Sequence, residues 1–185
     1  MLQNPADRIV YFYTDLNPQI KEIGTYEKVE LVQNFDPDVI TDHTDNSHLW
    51  IIIDDYILQP IYHHLAEIFC VKSRSRNCSI SLLTQNLFSQ AAANSKKYNR
   101  EILLNSTITV LFQNKRDESL VSSVAKTAFP RRYRYFLQSY QLACESGKGH
   151  GYLCIRTAPG VSKKVELSTN VFYYKENPIL FWERK

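Results

Sequence analysis

The sequence predicts an α/β domain built on a mostly parallel sheet, and three observations carry that expectation. Short runs rich in Ile, Val, Tyr and Phe recur at Arg8–Thr14, Val29–Gln33, Leu49–Asp54, Ser79–Thr84, Thr107–Gln113 and Gly151–Arg156. Several are apolar almost throughout rather than alternating, as strands buried on both faces are. Between several of them stand stretches of helical character, at Ile61–Val71, Ser95–Leu104, Glu118–Ala128 and Arg132–Cys144, and strands alternating with helices build a parallel sheet covered on both sides. The chain of 185 residues, 44% apolar and 12% aromatic, is enough for one domain with a sizeable core.

Each element has its own reason. RIVYFYT and VELVQ are β-branched and aromatic, and LWIIID is the most apolar run of the chain. SISLLT and TITVLFQ repeat that character, as does GYLCIR. Leu120, Val121, Val124, Ala125 and Ala128 recur at helical spacing, which reads as core packing. Tyr135, Phe136 and Tyr140 have the spacing of a second core face, behind a proline that suits a helix start. SGKGHG at 146–151 reads as a helix-to-strand turn, and the tail from Val165 to Lys185 is aromatic and β-rich around Asn177-Pro178, a terminal hairpin or docking arm. The expected organisation is a core over residues 1–160 followed by a β-rich tail over 161–185.

Composition excludes some classes and permits others. A net charge of +3, from 22 basic and 19 acidic residues, allows nucleic-acid contact without requiring it. Cys70, Cys78, Cys144 and Cys154 form no C-x-x-C pair and lie in or beside apolar segments, so they read as reduced, mostly buried thiols of an intracellular protein. A zinc site of His63, His64, Cys70 and Cys78 fits no common ligand spacing. The N-terminus has no signal-peptide pattern and no apolar run reaches the ~18–20 residues of a membrane span. The expectation is a soluble protein.

Chemistry concentrates where strands end. In a parallel α/β sheet, ligands bind beyond the carboxyl ends of the strands. LWIII runs directly into Asp54 and Asp55, two like charges that repel unless a cation or water shares the site. The pair reads either as a strand end whose Asp55 caps a turn, or as a tip that holds Mg²⁺ and activates water for phosphoryl transfer. SISLLTQN delivers Thr84, Gln85 and Asn86 to the same edge, and a glutamine amide both donates to and accepts from an attacking water. Lys72, Arg74 and Arg76 stand before that strand, at the opposite edge, as phosphate-gripping cations or as a solvated loop. Pro130-Arg131-Arg132-Tyr133-Arg134-Tyr135-Phe136 interleaves cations with aromatics, suited to phosphate contact plus base stacking or simply to a helix start.

Taken in order, LWIIIDD, a helix, SRSRNCSISLLTQNLF, LNSTITVLFQNKRD, SYQLACES and GYLCIRTAP resemble the genome-packaging ATPases of large DNA viruses and related virus-like transposons, within the FtsK–HerA superfamily. The resemblance runs from about Arg8 to Pro159. It implies a three-layer RecA-like P-loop domain in which Asp54 and Asp55 end the Walker B strand, Asp54 in the Mg²⁺ shell and Asp55 as the base that polarises water. It also implies Gln85 as the strand-end glutamine and Arg76 as an arginine finger acting on a neighbouring subunit. Arg116 in NKRD matches a recurring position of undefined role. ATP and Mg²⁺ as cofactors, DNA as substrate, a homo-oligomeric ring and a capsid protein as partners follow from the same resemblance. So does a place in the host cytoplasm or nucleus, or with the virion. Lys72, Arg74, Arg131 and Arg132 are the candidate nucleic-acid contacts.

The sequence departs from that pattern at the phosphate cradle. GxxxxGK[ST] supplies the loop amides, lysine and hydroxyl that hold phosphates and Mg²⁺. The five glycines, Gly24, Gly147, Gly149, Gly151 and Gly160, nowhere fit it, and Gly147-Lys148 has Leu142 where the first glycine belongs and Gly149 where Ser or Thr belongs. By resemblance RIVYFYT is the domain's second strand, with the first strand and P-loop missing. The expectation is the Walker B and glutamine portion of a DNA-translocating ATPase, or else a non-hydrolysing relic or accessory subunit that binds a protein or nucleic acid.

Overall fold

A computed structural model describes residues 5–55, 62–85, 95–113, 118–146, 151–162, 166–169 and 179–181. It divides into two compact units, Met1–Ile102 and Leu103–Lys185.

The first unit is a four-stranded parallel sheet. Its strands are β1 (Arg8–Tyr13), β2 (Val29–Gln33), β3 (Leu49–Asp54) and β4 (Cys78–Leu83), in the order β2-β1-β3-β4. Between them lie α1 (Pro18–Ile23), α2 (Asp38–Thr41), and α3 (Tyr62–Glu67), which passes through a π-helical turn at Ile68–Lys72 into α4 (Ser73–Ser75). α1 starts where Asn17 accepts a hydrogen bond from the Ile20 amide at 2.9 Å and Pro18 presets the first turn. β3 alternates between buried Leu49, Ile51, Ile53 and half-buried Trp50, Ile52, Asp54. Its buried face joins Val10, Phe12, Ile40, Leu65, Ile68 and Ile102 in one core. On the other face Trp50 donates to the Ser81 hydroxyl at 3.0 Å and His48 bonds that of Ser79 at 2.8 Å. The indole and imidazole are thereby satisfied within the sheet.

The second unit is an antiparallel sheet, β5 (Ile108–Phe112), β6 (Tyr152–Arg156), β7 (Leu167–Ser168) and β8 (Leu180–Phe181), in sequence order. Two helices join β5 to β6, α6 (Glu118–Ala128) and α7 (Tyr133–Ser146), separated by a 3₁₀ turn at Pro130–Arg132. Leu120, Val121, Val124, Ala125 and Phe129 are buried, as are Phe136, Ser139, Ala143 and Cys144. The rings of Phe129 and Phe136 lie 5.1 Å apart. Cys154 and Arg156 of β6 are buried, and Arg156 donates to the Ser168 hydroxyl at 2.6 Å. α5 (Ser95–Asn105) spans the division between the units, and its Asn99 is fully buried with neither side-chain polar atom partnered among the described residues.

The α/β class and a parallel sheet are present, with every expected strand within a residue of its expected bounds. The expected single sheet is instead two, because β5 pairs antiparallel with β6, Val110 opposite Cys154, rather than joining β4. The division falls inside α5 rather than near residue 160, and β7 and β8 of the expected tail extend the second sheet.

The turn expected in SGKGHG has a steric signature at its described end, since Gly147 to His150 lie outside the described residues. A Cβ on Gly151 would stand 2.4 Å from the Cys144 carbonyl oxygen and 2.6 Å from that of Ala143. Both are backbone atoms that cannot rotate away, so α7 and β6 meet at this distance only through glycine. Gly151→Ala should therefore destabilise the second unit by about 1–3 kcal/mol, read as a lower urea midpoint, while Gly160→Ala, with open space around it but φ +84°, should cost about 1 kcal/mol.

Candidate active site at the carboxyl ends of the parallel strands

The parallel sheet brings β1, β3 and β4 to a common edge, and side chains that can do chemistry meet there. β3 ends at Asp54, half-buried, and Asp55 follows, exposed and in the left-handed region at φ +55°. Aspartate tolerates that region better than most residues. The Asp55 amide nevertheless donates to Leu83 O at 3.0 Å and so extends the β3–β4 ladder by one bond.

Each carboxylate has a neutral donor. The Tyr11 hydroxyl donates to Asp54 Oδ2 at 2.8 Å, and Gln85 Nε2 donates to Asp55 Oδ2 at 3.3 Å. Tyr11 lies opposite Ile52 in the β1–β3 register, so Asp54 is the next residue along the same face, within diagonal reach of a long aromatic side chain. Tyr11 is 5% exposed, and a buried phenol needs a partner. Its pKa is raised above the ordinary phenol value, first by burial, then by its hydrogen bond to Asp54 and by that carboxylate's charge. The proton therefore stays on the phenol, and Asp54 is the acceptor.

Among the described residues, both of these hydrogen bonds fall on Oδ2, and none reaches Oδ1 of either aspartate. No group of three or more His, Cys, Asp or Glu side chains among those residues could hold a metal ion. Mg²⁺ does not need such a cage, since it is ordinarily held by one or two carboxylates together with waters and phosphate oxygens. Two carboxylates at a strand tip are a donor set that a Mg²⁺ ion shared with waters and phosphate oxygens would accept. Of the residues His63, His64, Cys70 and Cys78, the side chain of His63 lies outside the described residues, His64 is exposed, and the Cys78 thiol donates to Arg76 O at 3.2 Å. Burial raises the pKa of Cys78, Cys144 and Cys154, which keeps these free thiols protonated.

Arg76 stands at the other end of β4, roughly 25 Å from the carboxylates at ~3.3 Å per strand residue. It is half-buried and donates to His43 O at 3.1 Å, while the next residue, Asn77 at φ +49°, donates to the carbonyls of Asn46 and Ser47. These bonds tie the start of β4 to the loop before β3. A cavity of about 240 Å³ opens at that edge, lined by Arg8, Val39, Asp42, His43, Thr44 and Asp45; it contains none of the strand-end residues. Lys72 and Arg74 lie in the π-helical turn and in α4, with side chains outside the described residues, as are Asn86 and Arg116.

The second basic cluster is divided by the fold. Arg132 is half-buried, pairs with Glu166 at 2.6 Å and lies over the rings of Phe129 and Tyr135 at 5.1 and 5.8 Å. Arg131 and Arg134 are exposed. Of the two candidate contacts in this cluster, Arg132 is thus engaged by Glu166 and by two rings, and Arg131 is not part of that set. No helix among the described residues is long and apolar enough to cross a membrane.

Nothing in the sequence marks Tyr11, because a strand tyrosine is ordinary until the register places it beside Asp54. Its role has a pH signature. A phenol whose folded pKa lies above its unfolded value of about 10 contributes stability that is complete below pH 10 and is lost as pH rises toward the folded value. Tyr11→Phe should cost about 1–2 kcal/mol at pH 7. Above pH 10 wild type should lose stability faster than Tyr11→Phe by up to about 1 kcal/mol per pH unit, and parallel curves in alkaline urea melts would refute the assignment.

Compared with protein-family profiles, with curated proteins and with solved structures, the chain matches none.

Proposed function

We propose that the edge formed by Tyr11, Asp54, Asp55 and Gln85 is the water-activating side of an ATP-hydrolysing site, belonging to a DNA-packaging or DNA-translocating ATPase of the viral FtsK–HerA type. The observation that carries this reading is the meeting of two adjacent carboxylates and one amide at the ends of neighbouring parallel strands. Asp54 is held by a buried phenol so that one oxygen stays in place. Asp55, exposed at the tip, has an oxygen available to accept a proton from water, and Gln85 can donate to and accept from the same water. Mg²⁺ at such a pair would neutralise charge developing on a transferred phosphoryl group. Arg76 would act on a neighbouring subunit's nucleotide in a ring, which requires it to leave its bond to His43 O.

One observation favours a second reading. The 185 residues include no GxxxxGK[ST], the motif whose loop amides and lysine cradle phosphates in such enzymes. A non-hydrolysing accessory chain that binds a protein or nucleic acid meets that description.

The two readings separate by titration. The 185-residue chain alone should show no ATP-dependent thermal shift with Mg²⁺, whereas the same chain joined to a segment carrying GxxxxGK[ST] should gain about 2.7 kcal/mol at 100 times the dissociation constant. In that joined protein Asp55→Asn should keep nucleotide binding and cut hydrolysis by about two orders of magnitude or more. Arg76→Ala should lower turnover only in the oligomer, with partial rescue on mixing with Asp55→Asn subunits. Unchanged turnover in Asp55→Asn would exclude the ATPase reading, and full activity in a monomer would exclude the finger.

A further inference from the structure

We infer that the junction of α6 and α7 binds the phosphate backbone of double-stranded nucleic acid through Lys126, Arg131 and Arg134, without base stacking. No acidic residue stands between Glu118 and Glu145, while Lys126, Arg131, Arg132 and Arg134 all do. Glu166, brought in from beyond β6, neutralises Arg132 alone. Lys126, Arg131 and Arg134 are exposed and form no ion pair among the described residues, and the first turn of α7 holds no acid. Three exposed cations without an ion pair among the described residues therefore flank one helix junction, between Lys126 at the end of α6 and Arg134 in the first turn of α7.

The neighbouring aromatics decide the kind of anion. Tyr133 lies under the Lys126 ammonium at 6.0 Å and donates to the Ser122 hydroxyl at 3.3 Å, and Tyr135 lies under Arg132. Phe129 and Phe136 are buried. Each of these rings among the described residues is buried or faces a cation or hydroxyl, unlike the open stacking platforms that single strands use. What remains is a set of charged donors on the two helices and the turn between them, suited to contacting phosphates without reading sequence. This surface needs neither nucleotide nor the carboxylate pair, so it stands or falls apart from the ATPase reading.

The test is the salt dependence of duplex binding by the 185-residue chain, followed by anisotropy of a labelled duplex of about 20 base pairs. Three phosphate contacts give a slope of log K against log[salt] near −2.7, an affinity loss of about 40-fold between ~50 and ~200 mM salt. Arg131→Gln/Arg134→Gln should reduce the slope to about −0.9, a loss of only about 3.5-fold over the same range. Lys21→Gln/Lys97→Gln, which removes the same charge from two exposed lysines, should leave it near −2.7. Arg132→Gln should lower the melting temperature and keep the wild-type slope while folded. Absence of duplex binding, an unchanged slope in the Arg131/Arg134 variant, or an equal change in the Lys21/Lys97 variant would overturn the proposal. Tighter binding of a single strand or of polyglutamate than of the duplex would overturn it as well.

Discussion

β3 is gripped on both sides, by β1 from Arg8 opposite Leu49 to Phe12 opposite Ile53, and by β4 from Leu49 opposite Cys78 to Asp54 opposite Leu83. Its inward residues Leu49, Ile51 and Ile53 are fully buried. Because side chains alternate with a period of two, this one register fixes every neighbour at the strand tip. Slipping β3 by one residue would bury Asp54 in the apolar core and carry Tyr11's partner away. The apolar run and the two aspartates are thus parts of one device. The first pins the strand, and the second is presented at a position that the pinning determines.

The electrostatics at the tip follow from that constraint. Two adjacent carboxylates are tolerable where one is exposed and each accepts from a neutral donor, since this stabilises charge without adding a cation. A lysine or arginine in place of Tyr11 or Gln85 would satisfy the pair internally and leave little affinity for a further positive charge. The opposite end of the sheet is built in another way. There Arg76, Asn77, His43 and Ser47 are knitted through backbone carbonyls, which consumes donors in holding loops together. The two edges of one sheet therefore use their polar groups differently, one to hold carboxylates with side-chain donors and the other to close loops through backbone carbonyls.

Much of this was legible in the residues. VELVQ and LWIIID fill β2 and β3 to the residue, and the spacing of Leu120, Val121, Val124 and Ala125 marks the buried face of α6. The convergence of Asp54, Asp55 and Gln85 was legible too, because strand ends share an edge once strands are parallel. What the residues alone did not reveal depended on pairing partners distant in sequence. GYLCIR reads equally well as a parallel or an antiparallel strand, and only its pairing with β5 and β7 decides. The separate task of Arg132 was hidden for the same reason, since Glu166 lies far along the chain. Pro18 behind Asn17 was a helix-start signal for α1 that the apolar pattern, with one buried residue in Ile20, was too short to expose.

The ladders also bear on how the chain reaches this state. Ile9 must find Val29, Arg8 must find Leu49, and Thr109 must find Ile155, so the main strands pair only after long segments between them have been drawn in. Loop-closure entropy is spent before those hydrogen bonds repay it, which places both sheets among slow-folding topologies. The helices α5, α6 and α7, closed by local bonds, form on far shorter timescales than the strands assemble. During that interval the apolar run of β3 has no partner on either side, and its exposure lasts as long as the search for β1 and β4. A nascent chain of this kind meets its greatest risk of misassociation between the synthesis of Leu49 and the arrival of Leu83.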